Sequence, residues 1–202
     1  MINHFINKKH RGTLSFLREF VCNPLTVGAI APSSPNLAKA MLHNLTLRDE
    51  DTVLELGPGT GAFTSFIRSA LPNPQHYLGI ELEPRFVLLL KREFPDLHFI
   101  EGNAEQAVQL YQHTELKLPS VIISGLPFAS FRRQTQDNII NNVAQLMASG
   151  SVFRTFQYVH AYALPSAVRF RHAMDELFFT HHRSQVMFNN IPPAYVLTWK
   201  AQ

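Results

Sequence analysis

Cysteine is all but missing from this chain of 202 residues: Cys22 stands alone. A single thiol closes no internal bridge, which excludes a disulfide scaffold and fits a reducing compartment. Long apolar runs are missing as well. None approaches the roughly 20 residues that cross a bilayer, and the opening Met1-Ile2-Asn3-His4-Phe5 lacks the charged-then-apolar layout of a secretory leader. The ten histidines show no metal-ligand spacing, His181 and His182 being adjacent rather than one helical turn apart, and no G-x-S-x-G elbow is present. Metal and nucleophilic-serine chemistry are therefore set aside. Repeats and low-complexity tracts are absent too, so the length predicts one domain with room for an appendage, able to bury about 70% of its surface without a staple.

What the chain does have is an uneven charge. Eighteen Lys and Arg against fifteen Asp and Glu give only +3. Within the first 20 residues, however, Lys8, Lys9, Arg11 and Arg18 face the single acid Glu19, and Phe5, Phe16 and Phe20 recur among them. Apolar positions in residues 2–22 are spaced by three and four on either side of Gly12, which predicts two short amphipathic helices ended by Pro24. One use of such a segment is packing on the domain. The other is lying on an anionic surface, membrane or nucleic acid.

Ser33 or Ser34 can cap a helix entered by Pro35 and running through Leu37, Ala38, Met41 and Leu42. From Thr52 the pattern becomes strand, turn, helix, repeated. Strands are predicted at 52–56, 76–81, 97–100, 119–124 and 151–158, alternating with helices at 63–71, 84–94, 104–111 and 134–147. The apolar run Val121-Ile122-Ile123 suits a central parallel strand buried on both faces. Runs at 184–188 and 194–200, joined by Asn189-Asn190-Ile191-Pro192-Pro193, predict a terminal antiparallel hairpin. The expected fold class is α/β, a doubly wound, mostly parallel seven-stranded sheet with that hairpin and an N-terminal helical extension.

The chemistry concentrates at strand ends. Glu55-Leu56-Gly57-Pro58-Gly59-Thr60-Gly61 lies between the first strand of the sheet and its helix, where a ligand-binding turn belongs. Gly57-x-Gly59-x-x-Ala62 satisfies the dinucleotide fingerprint, with Glu81 placed for a ribose. Glu55 would nevertheless face a pyrophosphate of like charge, and Pro58 removes one N–H from a phosphate cradle. A ligand with an ammonium and a sulfonium suits that carboxylate, which points to S-adenosylmethionine. Glu81 can accept from both ribose hydroxyls. Asn103 either reads an adenine amino group or caps the helix beginning at Ala104. The fourth strand runs into Ser124-Gly125-Leu126-Pro127-Phe128, where backbone carbonyls can orient an acceptor nitrogen and Phe128 or Phe131 can give an amine a cation–π face.

These residues carry a resemblance. The 55–61 turn, Glu81 and Ser124-Gly125-Leu126-Pro127-Phe128 are similar to motifs of class I methyltransferases of the ribosomal RNA adenine dimethyltransferase type. Thr26-Val27-Gly28-Ala29-Ile30-Ala31-Pro32-Ser33-Ser34, the basic start and Asn190-Ile191-Pro192-Pro193-Ala194-Tyr195-Val196 together resemble the small bacterial phospholipid N-methyltransferases, from about Phe16 to Lys200. Ser124 stands where the adenine dimethylases carry Asn, and Asn103 where Asp is common in the wider superfamily. The chain ends with its hairpin, where those dimethylases continue into a helical RNA-binding domain.

The resemblance implies an S-adenosylmethionine-dependent enzyme that methylates phosphatidylethanolamine and its mono- and dimethyl forms toward phosphatidylcholine. The alternative is an RNA adenine or small-molecule amine N-methyltransferase on the same scaffold. Cofactor contacts are expected from Glu55, Gly57, Gly59, Thr60, Gly61, Glu81, Leu82, Asn103, Ala104, Ser124, Gly125 and Leu126, with no metal. Substrate contacts are expected from Pro127, Phe128, Phe131 and Tyr195, and help with proton loss from Tyr158, His160 and Ser124. The basic start, through Phe5, Lys8, Lys9, Arg11, Phe16, Arg18 and Phe20, is expected to dock a cytoplasmic monomer on the inner face of the membrane. The expected division is an extension over 1–45 and a methyltransferase domain over 46–202.

Overall fold

The structure, a computed structural model, describes residues 34–178 and 180–202. The basic start, with its expected helices and membrane-docking residues, lies outside the described residues. The first described helix is α1 (Pro35–Leu42), capped as the sequence suggests by Ser34, whose Oγ accepts from the Leu37 amide at 3.2 Å. There follow β1 (Val53–Leu56), α2 (Thr64–Ala70), β2 (Tyr77–Glu81), α3 (Pro84–Glu93), β3 (His98–Glu101), α4 (Ala107–Gln112), β4 (Val121–Ser124), α5 (Arg133–Leu146), β5 (Val152–Tyr158), α6 (Pro165–Leu177), β6 (Thr180–Arg183) and β7 (Ala194–Lys200).

The seven strands form one sheet in the order β3-β2-β1-β4-β5-β7-β6, parallel up to β5, with β7 antiparallel to both neighbours. The order reverses beside β1, so the carboxyl ends of β1 and β4 flank the crevice where ligands enter doubly wound sheets. β1, β2 and β4 are buried at every position, which explains their mostly apolar sequences, with Glu55 the buried exception inside β1. One core, under α5 and α6, holds Leu54, Leu56, Ile122, Phe153, Phe170 and Trp199; the other, under α1, α2 and α3, holds Leu37, Met41, Val53, Phe63 and Tyr77. Among the described residues no helix is long and apolar enough to cross a membrane.

Helix α1 is tied to the sheet by a buried cation. Arg154, in the middle of β5 and 9% exposed, donates from Nη1 to the Met41 and His43 carbonyls at 3.0 and 2.8 Å and from Nε to Thr198 Oγ1 at 3.0 Å. Those carbonyls are the negative end of α1, so helix and guanidinium answer each other without a carboxylate. Replacing Arg154 with Met should cost about 2 kcal/mol or more by stranding the two carbonyls. Chemical denaturation checks it, and a loss under about 0.5 kcal/mol would show that water replaces the guanidinium.

Two elements depart from the sequence reading. Helix α6 was not anticipated, although Pro165 at its first turn and Ala167, Phe170 and Met174 at spacings of three and four, all fully buried, carry its signal. The hairpin is present, but its first strand is Thr180–Arg183 rather than 184–188. Ser184 ends it: its Oγ, instead of a carbonyl, accepts from the Val196 amide at 2.9 Å. Pairing resumes at Met187 opposite Ala194, one residue out of step with the Arg183 to Leu197 register. That extra residue is a bulge, which breaks the run the sequence shows as continuous.

Candidate active site

The turn after β1 is built from three residues with left-handed backbone, Gly57, Gly59 and Gly61, at φ of 71°, 59° and 86°. The N–H groups of these three glycines are engaged. Gly57 donates to the Ile80 carbonyl at 2.9 Å, Gly59 to Glu81 Oε2 at 2.8 Å and Gly61 to the Pro58 carbonyl at 3.0 Å. A pyrophosphate would find these three amides taken and none at Pro58, and it would meet carboxylates. The same set fits a cationic ligand with a ribose. A side-chain carbon added at Gly59 would touch nothing within 4 Å, so the turn keeps an open face.

Two carboxylates stand behind this turn, and both are buried. Glu55 is fully enclosed; Thr64 Oγ1 and Tyr77 Oη donate to its Oε2 at 2.9 and 2.6 Å, while Oε1 has no partner. Burial pushes its carboxyl up to about 7 against the lowering pull of those two hydrogen bonds. Glu81, 7% exposed, accepts from the Gly59 and Glu83 amides at 2.8 and 2.9 Å. Its carboxyl is also raised, by burial, with the backbone hydrogen bonds pulling the other way. Thr64 and Tyr77 escaped the sequence reading, since they lie 9 and 22 residues from Glu55 and only the βαβ crossover joins them.

The turn after β4 lies against the first. A side-chain carbon on Gly125 would come within 2.7 Å of the Gly57 carbonyl oxygen, and one on Gly57 within 2.7 Å of Leu126 Cδ2. Ser124 is fully buried, its hydroxyl taken by the Leu126 amide at 3.3 Å and its carbonyl by Thr155 Oγ1 at 3.0 Å. The Leu126, Pro127 and Phe128 carbonyls accept from Phe128, Ser130 and Phe131 amides. Gly125 alone in this turn has a carbonyl with no partner among the described residues.

Other expected site residues fall differently. Asn103 caps the turn over 104–106, its Oδ1 accepting from the Glu105 amide at 2.9 Å, so the oxygen expected to read adenine is engaged. Phe128 offers no face to an amine. It is 1% exposed and stacks on Phe170 at 4.0 Å between centroids, and Phe131, 7% exposed, packs edge-on against it. The cation–π expectation is corrected for both: the turn after β4 folds inward under α5 and α6, and their rings fill that core. Pro127 begins the same inward turn. Tyr158, at the end of β5, is 8% exposed and stacked on the exposed His160 with centroids 5.6 Å apart. Burial pushes its phenol up to about 12. Tyr195 sits opposite Gln157 in the neighbouring strand.

Residues 33–120 match the family described as ribosomal RNA adenine dimethylase. The chain is an S-adenosylmethionine-dependent methyltransferase, and its matched segment is similar to the ribosomal RNA adenine dimethylases. The methyltransferase is 28% identical over 141 residues to an ornithine lipid N-methyltransferase of Singulisphaera acidiphila, covering 68% of this chain and 73% of that protein. It is 27% identical over 125 residues to ribosomal RNA small subunit methyltransferase A of Malacoplasma penetrans, covering 62% of this chain but only 38% of that one. Its fold is that of a solved 16S rRNA N2 G1207 methyltransferase of T. thermophilus in complex with AdoMet and guanosine, at a TM-score of 0.62 and 20% identity over 88% of this chain and 45% of that chain. The open glycine turn, the two carboxylates and the engaged glycine amides all fit S-adenosylmethionine as cofactor.

Proposed function

We propose that this methyltransferase acts on the amine of a membrane lipid, taking phosphatidylethanolamine and its mono- and dimethyl forms toward phosphatidylcholine. The observation that carries the reading is the extent of the match to the ornithine lipid enzyme, 73% of that protein against 38% of the ribosomal one. Ser124 in place of the dimethylases' Asn supports it. The basic, phenylalanine-bearing first 20 residues supply the membrane contact in this reading. Ser34, the first described residue, lies beside the 189–190 loop, its amide donating to Asn190 Oδ1 at 3.2 Å.

The bound cofactor supplies an electrophilic methyl group on a sulfonium, and the chain's own work is placement and proton removal. Glu81 and the open Gly59 turn hold the ribose side. Glu55 supplies the negative charge for the donor's cationic end. The free Gly125 carbonyl accepts an N–H of the substrate amine and turns its lone pair toward the methyl. An ammonium must lose one proton before each attack, so each methyl transferred releases one proton. Tyr158 keeps its own proton, since burial holds its phenol far above neutral pH, and serves as a stacking platform. His160 is the accessible base.

His160→Ala should therefore lower turnover by about a hundredfold and Tyr158→Phe by only a few-fold, read as label transferred to lipid vesicles; equal turnover in His160→Ala and the parent would remove the imidazole from the mechanism. The substrate class is tested with purified protein, labelled donor and separate panels of phosphatidylethanolamine vesicles, ornithine-lipid vesicles and 16S ribosomal RNA. Label in phosphatidylethanolamine supports the proposal. Label in RNA alone would replace it with the dimethylase reading that the 33–120 match favours.

A further inference from the structure

At the end of β5, on the α6 side, lies a cluster that the donor site does not use. Arg171 of α6 sits flat on Tyr162, its Cζ 3.7 Å from the ring centroid, and its Nη1 donates to Gln157 Oε1 and to the Tyr162 carbonyl at 2.7 and 2.9 Å. Arg183, the last residue of β6, covers the same ring at 5.3 Å and Tyr195 at 4.8 Å. Two guanidiniums thus share one aromatic platform. Among the described residues no carboxylate lies within 4 Å of either one. Asp175, one turn along α6 from Arg171, is engaged elsewhere: its Oδ1 accepts from Trp199 Nε1 at 2.7 Å and pairs with His181 Nδ1 at 3.0 Å.

The hydrogen-bonding capacity of the cluster is also left over. Arg171 spends only Nη1, so its Nε–H and Nη2–H edge, the fork that fits a carboxylate or phosphate side-on, is unspent among the described residues. Gln157, 3% exposed, gives its oxygen to Arg171 while its Nε2 has no partner. A second cation held beside the first on a partly buried platform, with a leftover amide donor beneath, is a charge arrangement that an anion completes. The two like charges oppose each other, Asp175 offsetting part of this at Arg171, and an anion held by both reverses the sign.

The position matters. Thr155, whose hydroxyl holds the Ser124 carbonyl, and Gln157 are two apart in β5 and so share one face, roughly 7 Å from each other along the strand. The cluster therefore lies one step outward from the turn that places the amine.

We propose that Arg171 and Arg183 bind the anionic group of the substrate's headgroup, the phosphodiester of phosphatidylethanolamine or the carboxylate of an ornithine lipid, while the amine reaches the Gly125 turn. This rests on the lipid-amine reading and deepens it: substrates are recognised as zwitterions, by an anion held a short arm from the reacting nitrogen. Tyr162 and Tyr195 position the two guanidiniums, and Gln157 orients Arg171.

The test uses the full chain with Arg183→Gln, an exposed change that leaves the core untouched, and Arg171→Lys, which keeps the charge and loses the fork. Initial rates are read on phosphatidylethanolamine and on ornithine-lipid vesicles, with donor affinity by calorimetry and inorganic phosphate binding by phosphorus NMR. Arg183→Gln is expected to raise KM for the lipid about tenfold with kcat and donor affinity unchanged, the worth of one charge-assisted hydrogen bond. Inorganic phosphate should compete with lipid in the parent and lose that competition in both variants. The lipid whose KM rises identifies the anion. Unchanged KM in both variants on a methylated lipid overturns the site and leaves the lipid reading standing. Arg183-dependent phosphate binding without methylation of any lipid keeps the site and overturns the lipid reading. If neither lipid is methylated and phosphate does not bind, both fall.

Discussion

Glu55→Gln should make the protein without its cofactor more stable at high pH and worse at holding the donor. The folded carboxyl keeps its proton up to about pH 7, whereas an unfolded one releases it near 4.5. Its contribution is therefore whole below about pH 4.5 and is lost as pH rises through 7. The loss amounts to about 3 kcal/mol once the group is ionised. Glutamine cannot ionise, and its oxygen can still accept from Thr64 and Tyr77. Its amide nitrogen takes the place of the unpartnered Oε1, which costs stability equally at every pH. The difference in unfolding free energy between variant and parent should thus grow in the variant's favour by about 3 kcal/mol between pH 4.5 and 8.5, measured by urea titration. A difference independent of pH would show that Glu55 ionises freely in the fold.

The functional half of the same prediction has the opposite sign. If the ionised Glu55 carries the donor's cationic end, parent affinity for S-adenosylmethionine should climb through pH 7, while the glutamine variant should bind about tenfold or more weakly with no such climb. Stability sacrificed at a buried charge is then regained on binding.

The other large effect is expected at Gly125. Alanine there would put a carbon 2.7 Å from the Gly57 carbonyl oxygen, a contact between two backbones with no flexible side chain to give way. The two turns must part, and in the proposed function these turns set the distance from the donor pocket to the Gly125 carbonyl proposed to hold the amine. We expect Gly125→Ala to fold, with a stability loss of about 1–3 kcal/mol from overpacking, and to lose about a hundredfold in kcat because a displacement of about 1 Å at the reacting pair costs that much. Calorimetry and single-turnover rates measure the two losses separately. Parent-like turnover in a folded variant would mean that the contact between the turns does not set the reaction geometry.

What could be read from the chain was governed by local rules. Strand-helix alternation, the Ser34 cap, the glycine turn after β1 and the acid ending β2 depend on periodicity and on residues within a few positions of each other. Helix α6 was also legible in Pro165, Ala167, Phe170 and Met174 but was passed over. Strand β6 was not legible: Thr180-His181-His182-Arg183 is polar and exposed throughout, and only pairing with β7 makes it a strand. Phe128 read as a loop aromatic available to an amine. Its burial comes from α6, which stacks Phe170 on it.

The amino-acid sequence by itself determined a doubly wound sheet, a glycine turn after its first strand, and the acids Glu55 and Glu81 near the ends of the first two strands. Only the tertiary structure decided that Glu55 is sealed against Thr64 and Tyr77, that the β1 and β4 turns meet glycine to glycine, and that Arg171 and Arg183 share one tyrosine. The reason is reach. Hydrophobic period and turn chemistry act within one element, whereas desolvation, backbone contact and charge pairing depend on which elements the crossovers bring side by side.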